Sequence, residues 1–128
     1  MGTVAALVGS DTPELVAGLR ALAEGRPHPD AFTGPRRDGR VTVLFSGQGA
    51  QRLGMGTALA TTYPAFAAPF HELLGLMSDR LGVDLAAIVR GCDRERLMQT
   101  RHTQAALVAF EVAGYRLLQS FGLAPDLL

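Results

Sequence analysis

The spacing of apolar positions changes several times along the chain, and each change marks an element. Thr3 to Gly9 is a short apolar run of strand length that stops on a glycine. The period then lengthens: Leu15, Leu19 and Leu22 recur at helical spacing and form one apolar face, widened by Val16. The start of this helix is marked by Asp11 or Thr12 as N-cap, Pro13 in the first turn and Glu14 beside the positive end of the dipole. Gly25 ends it, and Pro27 and Pro29 prevent it from resuming. From there to Arg40 the pattern is lost, and the stretch reads as a Pro/Gly/Arg linker.

Val41 to Phe45 restores an apolar, β-branched pattern of strand length, which predicts a short buried strand. It runs into Ser46-Gly47-Gln48-Gly49-Ala50-Gln51. Leu53 to Thr61 reads as a short helix. A longer one follows from Pro64 to about Leu81, with Phe66, Phe70, Leu73, Leu74 and Met77 on its buried side. Val83 to Val89 is a further helical turn, and Asp93 is the N-cap for Arg94 to Met98. Thr100 or Thr103 begins the longest helix, which reaches about Phe121. Its apolar residues surround most of its circumference, so deep burial is expected. Gly122 is its C-cap and Pro125 its stop, and Asp126-Leu127-Leu128 resembles a strand beginning. A tight turn at the C-terminal end of a buried strand is where open α/β sheets usually place their ligand sites.

Composition narrows the function classes. An apolar content of 48% argues for a packed globule and against disorder. Twelve basic and twelve acidic side chains cancel, and the densest basic run, Arg36 to Arg40, is short and interrupted. A nucleic-acid partner is therefore not expected. A single cysteine, Cys92, leaves no internal disulfide and reads as a structural thiol in a reducing compartment. No apolar run approaches the ~20 residues of a membrane span. The expectation is a soluble cytoplasmic protein without a membrane partner. No Cys/His/Asp cluster has metal-ligand spacing, so no metal site is expected. His28 lies in the proline-rich linker and His71 on a helix between Phe70 and Glu72, both read as surface residues. His102 lies close to Gln104 and is not assigned as a base.

The chemistry concentrates on Gly47-Gln48-Gly49. Glycine tolerates positive φ and lets a substrate approach the main chain closely, so this loop can offer backbone N–H groups to negative charge. The plainer reading is a strand-to-helix turn with convenient glycines, and spacing alone favours it. A nucleotide loop is excluded: Gln51-Arg52 stands where a dinucleotide fingerprint needs its third glycine, and no Gly-Lys-Ser/Thr occurs.

Two separated blocks favour the functional reading. Phe45-Ser46-Gly47-Gln48-Gly49-Ala50-Gln51, followed by Leu53-Gly54-Met55-Gly56, resembles the opening motif of the malonyl-CoA:acyl-carrier-protein acyltransferase family, most of all the acyltransferase domains of modular type I polyketide synthases. Thr100-Arg101-His102-Thr103-Gln104-Ala105-Ala106-Leu107, leading into Phe110-Glu111-Val112-Ala113, resembles a second block of that family. The resemblance implies the N-terminal part of an α/β-hydrolase-like acyltransferase core over residues 36–128. Residues 1–35 then correspond to the end of the small α+β ketosynthase-acyltransferase linker, with its other strands upstream. Family members continue into a Gly-His-Ser-x-Gly nucleophile elbow. No such run occurs in these 128 residues, so the resemblance implies a chain that lacks the nucleophile and carries out no transfer by itself.

The resemblance also implies residue roles. The backbone N–H of Gln48 is one of two oxyanion donors, the flanking Gly47 and Gly49 line the substrate site, and Gln104 contacts the pocket. The base and the carboxylate-binding arginine belong to later family segments. The implied substrate is a malonyl-type acyl-CoA, with no resident cofactor. The implied partners are the acyl carrier protein, which brings the phosphopantetheine thiol, and the ketosynthase and linker of the parent polypeptide. Gln99 to Gln104 is more similar to the malonyl-type block than to the methylmalonyl-type one. Two departures are visible. Ser46 replaces a common proline, which keeps the turn feasible, and Ala105 replaces a proline, which loosens the helix start. The alternative is a non-catalytic module that binds a partner protein through its helical surface.

Overall fold

A computed structural model of the chain describes residues 2–36, 39–91 and 93–127, divided into two compact units, Met1–Gly39 and Arg40–Leu128. Cys92 and the middle of the Arg36–Arg40 run lie outside the described residues.

In the first unit, β1 (Thr3–Leu7) and β2 (Ala31–Pro35) pair antiparallel, from Thr3 opposite Pro35 to Leu7 opposite Ala31. Strand β2 falls where the sequence predicts linker. Its residues, Ala31-Phe32-Thr33-Gly34-Pro35, have little strand propensity of their own, and pairing with β1 supplies the ladder that fixes them. Strand β1 is thus paired within the chain. Between the strands runs α1 (Thr12–Ala23), capped as expected: Asp11 accepts from the Glu14 N–H at 2.8 Å, while Glu14 accepts from the Ser10 N–H at 2.8 Å. The expected apolar face is not the buried one. Leu15, Val16 and Leu19 are exposed, and the buried residues of α1 are Gly18 and Ala21. The helix docks closely through its smallest side chains: a Cβ on Gly18 would lie 2.3 Å from Cδ1 of Leu7.

The second unit contains α2 (Thr57–Thr62), α3 (Pro64–Leu81), α4 (Leu85–Arg90), α5 (Arg94–Met98) and α6 (Thr100–Ser120). Pro64 opens α3, and its periodic face is buried as the pattern predicts, through Phe66, Phe70 and Leu74. Against it α6 presents Ala105, Ala106, Ala109 and Ala113, all buried. Large knobs on one helix meeting small residues on the other allow close packing without voids. Phe66, fully buried, lies against Phe70 with centroids 5.1 Å apart and rings tilted by 39°, and meets Phe110 edge-on at 5.7 Å. Leu85, Ile88 and Val89 of α4 and Leu97 of α5 complete this core. Ser78 joins α3 to α4, donating to the Leu74 carbonyl at 2.7 Å and accepting from the Leu85 N–H at 3.0 Å. Asp84 and Asp93 cap α4 and α5 through their carboxylates, at 2.8 and 3.0 Å.

Three expectations are corrected here. The helix predicted from Leu53 starts only at Thr57, because the backbone turns twice first. Gly56 sits at φ +81 with its Cα against Phe70, so close that an added Cβ would lie 2.7 Å from the ring. The long helix α6 is buried on one face, while Val108 and Leu118 on the other are more than 40% exposed (43% and 44%). Apolar residues all round a helix permit deep burial, but packing partners decide it, and here they lie on the alanine side. Val41 to Phe45 forms no buried strand. Among the described residues it makes one parallel bridge, Thr42 to Leu127, with Val41 and Phe45 exposed and Leu44 87% exposed. Strand propensity needs a ladder to act on, and among the described residues only the 126–127 segment offers one, with the Val41 N–H donating to the Asp126 carboxylate at 2.7 Å.

Candidate active site

Residues 47–50 form a β-turn. The Ala50 N–H points back to the Gly47 carbonyl at 3.4 Å, and Gly49 occupies the third position with φ +118. That φ belongs to the region where glycine carries no Cβ penalty. An added Cβ at Gly49 would meet nothing within 4 Å, so the requirement for glycine is conformational and not a matter of space. Gly47 has neither positive φ nor a close neighbour. The two central amides have different fates. The Gly49 N–H donates to Oε1 of Gln51 at 2.7 Å. The Gln48 N–H, in the second position of the turn, has no acceptor among the described residues. One exposed backbone donor, held between fixed neighbours, is the chemical feature of this loop.

Helix α6 supplies the opposite wall. Gln104, Val108, Glu111 and Tyr115 recur at helical spacing on its outer face, and the loop lies along them. Phe45 meets Tyr115 edge-on with centroids 6.4 Å apart, and the Ser46 hydroxyl donates to Glu111 Oε1 at 2.5 Å. Between loop and helix lies a cleft of about 230 Å³, lined by Gly47, Gln48 and Gln104 together with Ser46, Leu107 and Glu111. The structure therefore brings Gly47, Gln48 and Gln104 to one cleft. Gly49 is in the turn but does not line it. A larger groove of about 480 Å³ shares Ser46 and Leu107 and continues past Arg52, Met55 and Phe110.

The α6 N-terminus is fixed from behind. Thr103 Oγ1 donates to the Leu97 carbonyl at 2.6 Å, and His102 Nδ1 lies 2.7 Å from the Arg96 carbonyl. His102 is 1% exposed, so it serves as a buried anchor of the helix start, while Gln104 remains on the exposed side. His71 is exposed, as expected, whereas His28 is half-buried. Among the described residues no group of three His, Cys, Asp or Glu side chains is placed to hold a metal ion. No described helix is long and apolar enough to cross a membrane.

Residues 42–128 match the family model of the acyl transferase domain. The chain belongs to this family. Among relatives of this acyltransferase domain is the spectinabilin polyketide synthase system protein NorB of Streptomyces orinoci, 45% identical over 122 residues, which covers 92% of this chain and 6% of NorB. The acyltransferase domain from the second module of the salinomycin polyketide synthase superposes with a TM-score of 0.82 at 41% identity, over 98% of this chain and 30% of that one. The malonyl-transacylase solved in complex with its type II acyl-carrier protein superposes with a TM-score of 0.58 at 39% identity, over 69% of this chain and 28% of that one. The α/β fold class is thus that of a polyketide synthase acyltransferase domain.

Sequence reasoning passes over three residues that the structure brings to the site. Glu111 and Gln51 stand inside the two family blocks without an assigned role, and Ser46 is read only as a tolerated replacement. The available signal was positional: Glu111 lies seven residues after Gln104, which places both on one helix face. Ala105 also differs from expectation. It lies inside α6 beyond the first turn and is buried, so the helix start at Thr100 does not depend on it.

Proposed function

We propose that this acyltransferase domain contributes to the transfer of a malonyl-type unit from CoA to the phosphopantetheine thiol of an acyl carrier protein, a loading step of polyketide synthesis. The observation that carries this reading is the Gln48 N–H, which has no acceptor among the described residues and belongs to a turn that lines one cleft with Gln104. Acyl transfer places negative charge on the thioester oxygen when a serine attacks the carbonyl. A prepositioned main-chain donor stabilises that charge without reorganising, and losing one typically costs about 10²–10³ in kcat. The exposed Gln104 side chain can donate or accept at the rim of the same cleft.

The malonyl-transacylase neighbour and its carrier protein support the choice of acyl group and partner. The polyketide synthase relatives support a setting within a much longer polyketide synthase polypeptide, and the ketosynthase beside it follows from the family resemblance alone. The boundary of the compact units and the start of the family match, at residues 40 and 42, support assigning residues 1–35 to the linker and the remainder to the acyltransferase. The serine, the base and the carboxylate-binding arginine are read as coming from family segments unlike any in these residues. The acyl-CoA is the substrate, and no resident cofactor is needed for the step.

The test is labelled malonyl-CoA with a holo carrier protein and the full-length protein. Label is expected on the carrier protein, while residues 1–128 alone take none. Covalent label on residues 1–128, or no transfer by the full-length protein, would overturn the reading.

A further inference from the structure

We propose that Gln51 is a positioning residue for the acyl-transfer site, acting through the Gly47–Ala50 turn; the proposal rests on the function given above. Gln51 is 8% exposed in an otherwise exposed loop, one of a few buried polar side chains. Both ends of its amide are engaged. Oε1 accepts from the Gly49 N–H at 2.7 Å, and Nε2 donates to the thioether sulfur of Met98 at 3.0 Å. The orientation of the amide follows from the Gly49 contact, because a backbone N–H requires the oxygen on that side.

The consequence for the site is selective. A turn with two glycines has many accessible conformations, and the contact at 3.4 Å between Ala50 and Gly47 is a weak closure. Gln51 consumes the Gly49 donor and leaves the Gln48 donor free, so the turn offers one amide at one place. Through Met98 it also anchors the turn to the end of α5. The carbonyls of Arg96 and Leu97 in the same helix hold His102 and Thr103 at the start of α6. Gln48 and Gln104, on opposite walls of the cleft, are thereby referenced to one short helix. A positioning role of this kind affects the rate of the chemical step more than substrate binding, because displacement of a group by an ångström can cost about 10²-fold.

The test combines amide hydrogen exchange on the 128-residue chain with kinetics on the full-length protein. Gln51→Met keeps the side-chain shape and removes the acceptor; Gln51→Glu keeps an acceptor toward Gly49 and removes the donor to Met98. In Gln51→Met the Gly49 amide is expected to exchange about tenfold faster or more, with the Ala106 and Ala109 amides unchanged. In Gln51→Glu the Gly49 amide stays within about threefold of the parent. In the kinetics, Gln51→Met lowers kcat about 10- to 100-fold with KM for malonyl-CoA within about twofold, and Gln51→Glu recovers most of the loss. Unchanged Gly49 exchange, or unchanged kcat in an active protein, overturns the positioning role. If Gln51→Met loses protection throughout α6, Gln51→Leu takes its place, since it also removes the acceptor toward the Gly49 N–H with a different apolar shape. Faster Gly49 exchange then supports the role, and no change overturns it. An unsubstituted protein that transfers no malonyl sinks the proposed function instead, and the Gly49 exchange data separate the two failures.

Discussion

The helical core and the Phe45–Gln51 segment meet along α6, and they are built on different principles. The core is redundant. Phe66, Phe70, Leu74, Leu85 and Val89 belong to one buried cluster, and none of these five residues has a positive φ. The segment is sparse: it is largely exposed, with single contacts from Phe45 to Tyr115, from Ser46 to Glu111 and from Gly49 to Gln51. On the proposed function, stability and chemistry therefore fall to different residues. Core residues should matter to folding in proportion to their burial, whereas loop residues should matter to activity with little effect on folding.

Five substitutions would break or sharpen this contrast. The largest stability effect is expected at Phe66, which is fully buried between Phe70 and Phe110. Phe66→Ala should cost about 3–5 kcal/mol, seen as a lower urea midpoint at constant m-value, and a loss under 1 kcal/mol would mean the core is not packed as described. Next comes Gly49→Val, which must place a β-branched residue at φ +118 although space is available. Strain of roughly 1–3 kcal/mol is expected to shift the turn, and kcat/KM should fall about 10²-fold or more. Gln48→Ala keeps the amide and should retain most of the activity. If the alanine variant is the more damaged of the two, the Gln48 side chain takes part and the assignment of the amide is wrong.

A smaller effect is expected at Asp93, whose carboxylate caps α5 at 3.0 Å. Asp93→Ala should lower stability by about 1 kcal/mol. Because α5 also holds Met98, a modest fall in kcat would accompany it, and thermal unfolding together with steady-state kinetics would read both. The smallest effect is expected at Leu44, 87% exposed. In the 128-residue chain Leu44→Gln should change stability by about 0.5 kcal/mol or less. A larger loss would show that this side chain is covered in solution.

Much of the helical structure in both units was legible in the sequence because its signals are local. Pro64 and the 3.6-residue spacing of Phe66, Phe70 and Leu74 define α3, and the aspartates at positions 11 and 93 define two helix starts by accepting from amides three residues on. The Gly47–Gln48–Gly49 turn is likewise local, since a positive φ at Gly49 selects its residue type directly. What the sequence could not decide was pairing across distance. Ala31–Pro35 becomes a strand because β1 lies beside it, whereas Val41–Phe45 keeps strand propensity and, among the described residues, forms a single bridge. The same holds for burial: α1 turns Gly18 inward and leaves Leu19 exposed, and α6 buries its alanines, because each helix can approach its neighbour most closely through its smallest residues. Gln51 belongs with this second group. Its sequence position put it two residues from Gly49, but only the tertiary structure carried Met98 to its other end, forty-seven residues away, and so made the side chain a brace. Local conformational preferences can be read one residue at a time; which surfaces meet depends on shapes assembled from distant parts of the chain.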